Sequence, residues 1–187
     1  MALGSKGALR YEITAHGKLA HSAYPELGLS AIHTLLDVLQ DIRHIPLPSD
    51  GLLGPCTLNI GTIDGGRAPN VVADLAEAEI MFRTVGDPRP IREAVQAAVT
   101  GRAEALEVLH TPAMQLNSFE GLPTTIVAFT TDIPTFNGAW GKPYLIGPGS
   151  IHVAHTAEER ISKKELRDAV DIYARMATQL LATGSAA

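Results

Sequence analysis

One cysteine, one tryptophan and 5% aromatic residues in a chain of 187 rule out several frameworks at once. A lone Cys56 excludes a disulfide scaffold and a Cys-rich zinc site, and it suits a reducing compartment. Its plain reading is a small buried hydrophobe. No apolar run approaches the ~20 residues that a membrane span requires. The opening Met1-Ala2-Leu3-Gly4-Ser5-Lys6-Gly7 has no apolar h-region, so the expected setting is cytoplasmic, with no membrane partner. Basic charge is short as well. Against 15 Lys+Arg stand 20 Asp+Glu, a net charge of −5, which argues against nucleic acid or an anionic membrane as partner. What is present is a globular composition, 45% hydrophobic and 19% charged, long enough for one large domain or two small ones. Any chemistry must therefore rest on the seven His, the carboxylates and the backbone.

Leu9 to His16 alternates strictly, which predicts a strand burying Leu9, Tyr11, Ile13 and Ala15. From Gly28 to Arg43, Ala31, Ile32, Leu35, Leu36, Leu39 and Ile42 recur at helical spacing, and Pro46 and Pro48 end that helix. Thr57 to Ile63 reads as a second strand, followed by a turn at Asp64-Gly65-Gly66. A third strand is predicted from Val71 to Thr84, burying Ala76, Ala78, Ile80 and Phe82 and wetting Glu77, Glu79 and Arg83. Asp87-Pro88 starts a second helix with Ile91, Ala94, Val95, Ala98 and Val99 as its stripe. Leu106 to Leu116 is a weaker fourth strand. The order β-α-β-β-α-β is the ferredoxin-like arrangement, an α/β (α+β two-layer) sandwich with two helices on one face of a sheet.

Beyond a leader at 1–6 and this domain at 7–116, residues 117–187 differ in kind. Gly121 to Phe136 reads as a short helix, and Lys142 to Ile146 as a short buried strand. Ser162 and Glu165 form a capping box, flanked by Ile161 and Leu166 as a hydrophobic staple. The helix that follows would bury Leu166, Ala169, Val170, Tyr173, Ala177 and Leu180. One strand and one or two helices need a sheet to join, so this part reads as a partial α/β segment.

Four stretches could carry chemistry. His21 lies in the loop after the first strand, where either a plain surface histidine or a functional one fits. Gly65-Gly66-Arg67-Ala68-Pro69-Asn70 presents Asn70, and Arg83 stands near the far end of the third strand. These two read either as a turn Asn and a solvated Arg, or as a pair gripping a carboxylate. Gly147-Pro148-Gly149 offers close backbone approach, and His155 follows in a loop at the end of a predicted parallel strand. His152 and His155, at i and i+3, make a weak case for joint metal ligation in a loop.

Together these stretches resemble the ArgE/DapE-type zinc metallopeptidases and amidohydrolases. That family includes acetylornithine deacetylase, succinyl-diaminopimelate desuccinylase and the glutamate carboxypeptidases. Gly17-x-x-Ala20-His21-x-x-x-Pro25-x-x-Gly28-x-x-Ala31-Ile32 is similar to the start of the family's dimerisation (lid) domain. Gly65-Gly66-x-x-x-Asn70-Val71-Val72 with Arg83 resembles its middle, and Gly147-Pro148-Gly149 with Ala154-His155-Thr156-x-x-Glu159 its last metal-binding stretch. Asp132 with Trp140-Gly141-Lys142-Pro143 leans toward the acetylornithine-deacetylase branch. The resemblance implies His155 as a ligand of one of two zinc ions, with cobalt or manganese as substitutes. It implies His21 reaching across a homodimer to an oxyanion, and Asn70, Arg83, Gly147 and Gly149 holding the substrate. The implied reaction is hydrolysis of an N-acyl amino acid or small peptide by a metal-activated hydroxide with a Glu general base.

The sequence also departs from that pattern. The family's His-x-Asp motif is absent, and Glu158-Glu159 follows the final His rather than serving as the catalytic Glu pair. The expectation is a lid domain plus the C-terminal piece of a catalytic domain, the N-terminal half missing, and negligible hydrolysis by this chain alone. Two alternatives stand beside it: a non-catalytic ferredoxin-like dimerisation or binding module, and one subunit of a split enzyme.

Overall fold

The computed structural model describes residues 1–136, 138–139 and 141–184. Trp140, used above, lies outside the described residues. The chain divides into two compact units. The larger holds Gly4–Gln115 with the described part of 126–141, and the smaller holds Met1–Leu3, Leu116–Thr125 and the described residues from Lys142 onward.

The larger unit is built on four strands: β1 (Ala8–His16), β2 (Thr57–Gly65), β3 (Leu75–Arg83) and β4 (Glu104–Thr111). Their order across the sheet is β2-β3-β1-β4, and each neighbour is antiparallel. Two helices, α1 (Ala31–Arg43) and α2 (Arg89–Val99), pack on the sheet. This is the predicted ferredoxin-like sandwich. Period-2 alternation sends Leu9, Ile13 and Ala15 inward from β1, opposite Phe82, Ala78 and Ala76 of β3. Leu35, Val38, Leu39 and Ile42 of α1 and Ile91, Val95 and Val99 of α2 close the core over them. Each large apolar side chain so buried contributes roughly 1.5–3 kcal/mol before entropy is counted. Cys56 joins that core, and burial pushes its thiol pKa up, as suits an inert residue.

Ion pairs fasten the layers at their rim. Arg92 of α2 grips Glu107 of β4 with two hydrogen bonds, 2.6 and 2.8 Å, and the Tyr11 hydroxyl donates to the same carboxylate at 3.0 Å. Arg92 holds the Glu107 carboxyl below its ordinary range, while burial raises the Tyr11 phenol.

Several boundaries differ from the sequence reading, each for a backbone reason. The helix expected from Gly28 starts at Ala31, because Leu29 exchanges both backbone bonds with Lys18 and Ser30 caps the helix, accepting from the His33 amide. Leu36, placed on the apolar stripe, is 50% exposed, and Val38, which the stripe omitted, is fully buried. The single strand expected over Val71–Thr84 breaks at Ala73 and Asp74, whose carbonyls accept from the Ala31 and Gly17 amides instead. The fourth strand starts earlier and stops at Thr111, before Pro112, which has no amide proton to give the ladder. Asp87 stands two residues before α2, with Pro88 as the cap, yet its carboxylate accepts from the Arg89 amide at 3.0 Å.

The smaller unit departs more. No helix spans Gly121–Phe136; the chain there forms a strand at Thr125–Val127 and a 3-10 turn at Ile133–Phe136, the turn falling in the larger unit. Lys142–Ile146 forms no strand, only a single antiparallel bridge from Leu145 to Ala2, and it is at most half-buried. The last helix, α3 (Lys163–Gly184), has its capping box as read: Ser162 Oγ accepts from the Lys164 and Glu165 amides, and Glu165 accepts from the Ser162 amide. Its expected apolar face is not buried. Ala169 and Met176 are covered, but Leu166, Val170, Tyr173, Ala177 and Leu180 are exposed. No helix among the described residues is long and apolar enough to cross a membrane.

Candidate functional site

In the larger unit, the chain between β1 and α1 loops out and returns. Lys18 and Leu29 close its neck with reciprocal backbone bonds of 2.8 and 3.0 Å. Only glycine fits at two points of that neck. A Cβ on Gly17 would lie 2.2 Å from the Leu29 carbonyl oxygen, and one on Gly28 would lie 2.8 Å from the Lys18 carbonyl oxygen. The loop carries a two-residue strand, Ala20–His21, paired antiparallel with Val71–Val72, His21 opposite Val71. The Ser22 amide then donates to the Asn70 carbonyl at 3.0 Å. The backbones of His21 and Asn70, 49 positions apart in sequence, are thereby held one register step apart, both residues exposed.

Local bonds set what His21 can offer. The Ala23 amide donates to its Nδ1 at 3.1 Å, so in the neutral ring the proton sits on Nε2. The exposed imidazole is then a hydrogen-bond donor of the kind that suits an oxyanion or a carboxylate. Asn70, opposite Ser22, stands one register step from His21. The Asn70 loop has its own brace, which the sequence reading missed. The Arg67 guanidinium donates to the Asp74 carboxylate at 2.9 Å across the loop's base, and the Gly66 amide bonds the Leu75 carbonyl. Gly66 holds a left-handed φ of 79° there, a conformation that favours glycine.

Arg83 is not part of this cluster. It closes the other end of the nine-residue β3, which at ~3.3 Å per residue places it on the order of 25 Å from the Asn70 end. One chain therefore cannot grip a single carboxylate with both Asn70 and Arg83. The half-buried Arg83 guanidinium donates to Thr130 Oγ1 at 3.3 Å, leaving further donors of the fork for a ligand.

In the smaller unit, Gly149 holds a φ of 88°, and Gly147 is exposed with open space where a Cβ would point. Ser150 caps a 3-10 turn, Ile151–Val153, that includes His152. His155 lies beyond that turn with a φ of 61°, unusual for a residue with a Cβ, and its amide donates to Glu159 Oε2 at 3.0 Å. The expected parallel strand leading to it is replaced by the irregular segment described above. Such backbone strain recurs at functional sites. A zinc ion takes about four ligands, and the described residues include no group of three His, Cys, Asp or Glu that could hold a metal ion. The described residues therefore do not by themselves fit a bound metal.

Residues 3–108 match the peptidase dimerisation domain. The chain is 38% identical over 178 residues to a peptidase M20 domain-containing protein of Schizosaccharomyces pombe, covering 94% of this chain and 44% of that one. It is 39% identical to a protein of Aspergillus niger named "Probable carboxypeptidase", covering 94% and 47%. The chain thus spans less than half the length of these relatives. Among solved structures, a tripeptidase of Staphylococcus aureus superposes with a TM-score of 0.68 at 22% identity, covering 89% of this chain and 49% of that one. A hydantoinase/carbamoylase-family amidase of Burkholderia multivorans gives 0.51 at 16% identity, covering 70% and 37%. These structures share the fold.

Proposed function

The chain belongs to the M20 peptidase family through its peptidase dimerisation domain, and on that premise we propose that it supplies the substrate-holding part of an amide-hydrolysing enzyme. In this reading residues 7–116 form the dimerisation domain and 117–187 the C-terminal segment of a catalytic domain. The substrate class is an N-acyl amino acid or a small peptide. Acetylornithine-type substrates follow the Asp132 and Lys142-Pro143 resemblance, and a peptide follows the name of the Aspergillus relative. The proposed setting is the cytoplasm, in keeping with the single buried thiol of Cys56.

One observation supports the reading: the backbone bond from Ser22 to Asn70 joins the His21 strand to the Asn70 turn, so one small ribbon carries both exposed polar residues. Their separation from Arg83 assigns the roles. His21 and Asn70 act together on the site of a second subunit. There His21 Nε2–H donates to the oxyanion that forms as the amide carbonyl is attacked, and Asn70 orients the substrate's carboxylate. Arg83, at the opposite end of β3, holds a carboxylate in the site of its own subunit. Gly147 and Gly149 let substrate backbone approach closely. His155 supplies one metal ligand; zinc, or cobalt or manganese, would need its other ligands from outside the described residues.

The test is an assay of the purified chain on N-acetylornithine, other N-acetyl amino acids and dipeptides, with each metal added. Turnover is expected to be negligible, and a carboxylate-bearing substrate is expected to perturb the His21 ring signals by NMR in wild type but not in Asn70→Ala. Turnover at ordinary enzyme rates contradicts the reading, as does an unperturbed His21.

A further inference from the structure

Between β2 and β3 the chain makes an excursion that carries Asn70. Within it the Val71 amide donates to the Ala68 carbonyl at 3.1 Å, so Ala68 to Val71 form a four-residue turn. Pro69 takes the turn's second position and Asn70 its third. Proline fixes its own φ, which stiffens the turn within itself. Where the turn points is then decided by the ties at its base. Those ties are the Gly66 amide on the Leu75 carbonyl, at 3.2 Å, and the Arg67 guanidinium on the Asp74 carboxylate, at 2.9 Å. The leg that follows, Val71–Val72, pairs with the Ala20–His21 strand.

Asp74 does more than close this excursion. Its carbonyl accepts from the Gly17 amide at 2.8 Å, at the neck of the loop that carries His21. Its backbone thus serves the His21 loop while its side chain serves the Asn70 turn. The Asp74 side chain is 28% exposed and that of Arg67 65%, so the pair adds little to overall stability. Beside it lies a cavity of about 120 Å³ whose lining includes Asp64, Arg67, Asp74 and Glu77. Asp64 and Glu77 stand directly opposite each other on β2 and β3, a like-charge pairing that costs stability. One guanidinium therefore meets three carboxylates, and its bond to Asp74 sets its direction.

We infer that Asp74 is a positioning residue: its carboxylate, through Arg67, sets the Asn70 turn against the His21 strand, while its carbonyl holds the neck of the His21 loop. It acts on the placement of the ribbon and not on the stability of the sheet. Because the pair is exposed, added salt weakens it. That the ribbon then serves a substrate rests on the function proposed above; the inference goes beyond that reading by naming a residue that acts through His21 and Asn70.

Amide exchange with water, measured by NMR on the full chain, tests it. The reporter is the Ser22 amide, which bonds the Asn70 carbonyl. Asp74→Ala and Arg67→Ala are each expected to speed its exchange about 2- to 5-fold, the size of an exposed ion pair. The exchanged pair, Arg67→Asp with Asp74→Arg, is expected to restore the wild-type rate, and Asp64→Ala to leave it unchanged. The unfolding midpoint and the β1 and β3 amides are expected to stay as in wild type throughout. Raising salt from about 0.01 to 1 M, where the Debye length falls from roughly 30 to 3 Å, should speed Ser22 exchange in wild type but not in Asp74→Ala. That salt dependence decides the matter if the exchanged pair does not fold. A Ser22 rate that neither single variant changes, a rise shared by the β1 and β3 amides, or a wild type indifferent to salt overturns the inference. No substrate enters these measurements, so the proposed function survives such a result. A Ser22 amide that responds as expected beside a His21 ring that no substrate perturbs keeps the positioning role and overturns the proposed function.

Discussion

The two units are similar in one respect and opposite in another. Both contain helices written by clear local signals, but only the larger unit has something for its helices to cover. There α1 and α2 bury their stripes on a four-stranded sheet, and the core is continuous from Leu9 to Val99. In the smaller unit α3 has a full capping box, yet among its residues with described burial only Ala169 and Met176 are buried, and Leu166, Val170, Tyr173 and Leu181 are exposed. Local sequence fixes where a helix begins; burial needs a partner surface. The units differ in chemistry along the same line. The larger carries His21 and Asn70 on one braced two-stranded ribbon, and the smaller carries His155 with its left-handed backbone.

Core truncation should break this contrast most forcefully. Phe82→Ala removes a fully buried ring from β3 and is expected to cost about 3–5 kcal/mol in thermal or urea unfolding. Met176→Ala is expected to cost less than half as much, since Tyr173 and Leu180, one turn to either side of it on α3, are exposed. Equal losses would mean that α3 is packed as tightly as the sheet.

Gly17→Ala comes next. Its Cβ would overlap the Leu29 and Ala73 carbonyl oxygens, so a loss of about 1–3 kcal/mol is expected. The shift should also alter the His21 ring signals. The same change at Gly147, where a Cβ meets open space, should cost almost nothing.

A pH titration of stability isolates the rim of the larger unit. Arg92 lowers the Glu107 pKa in the folded protein, so that pairing stabilises above the unfolded value of about 4.3 and is lost as pH falls through the folded value. Wild type should therefore lose stability between about pH 5 and 3 more steeply than Glu107→Gln. At neutral pH Glu107→Gln is expected to cost about 1 kcal/mol, discounted for partial exposure. Parallel pH profiles would remove the role assigned to this pair.

Ser162→Ala gives the smallest effect. Loss of the cap should weaken the first turn of α3 by about 1 kcal/mol, seen as faster amide exchange there and not as a lower midpoint for the β1–β3 amides.

Much of the larger unit is legible in sequence because its signals are local and agree: alternation in β1 and β3, helical spacing in α1 and α2, and turn residues between them. The misreadings at Ala73–Asp74 and Leu29 arise where carbonyls and amides serve a neighbouring segment, which no window of sequence contains. His21 and Asn70 could be named separately, but their union through Ser22 could not, nor the Arg67–Asp74 brace or the Thr130 contact of Arg83. In the smaller unit, apolar spacing in α3 predicts a buried face, of which only Ala169 is buried in the structure among the residues with described burial. Spacing shows which face is apolar, and a covering surface must come from elsewhere in space.

The central claim is that this chain holds substrate-facing donors but not, by itself, a metal centre. Metal content after dialysis against zinc, measured by inductively coupled plasma mass spectrometry, tests that most directly. Well under one zinc per folded chain is the result expected from a lone His155 ligand; two tightly held zinc ions per chain would contradict it.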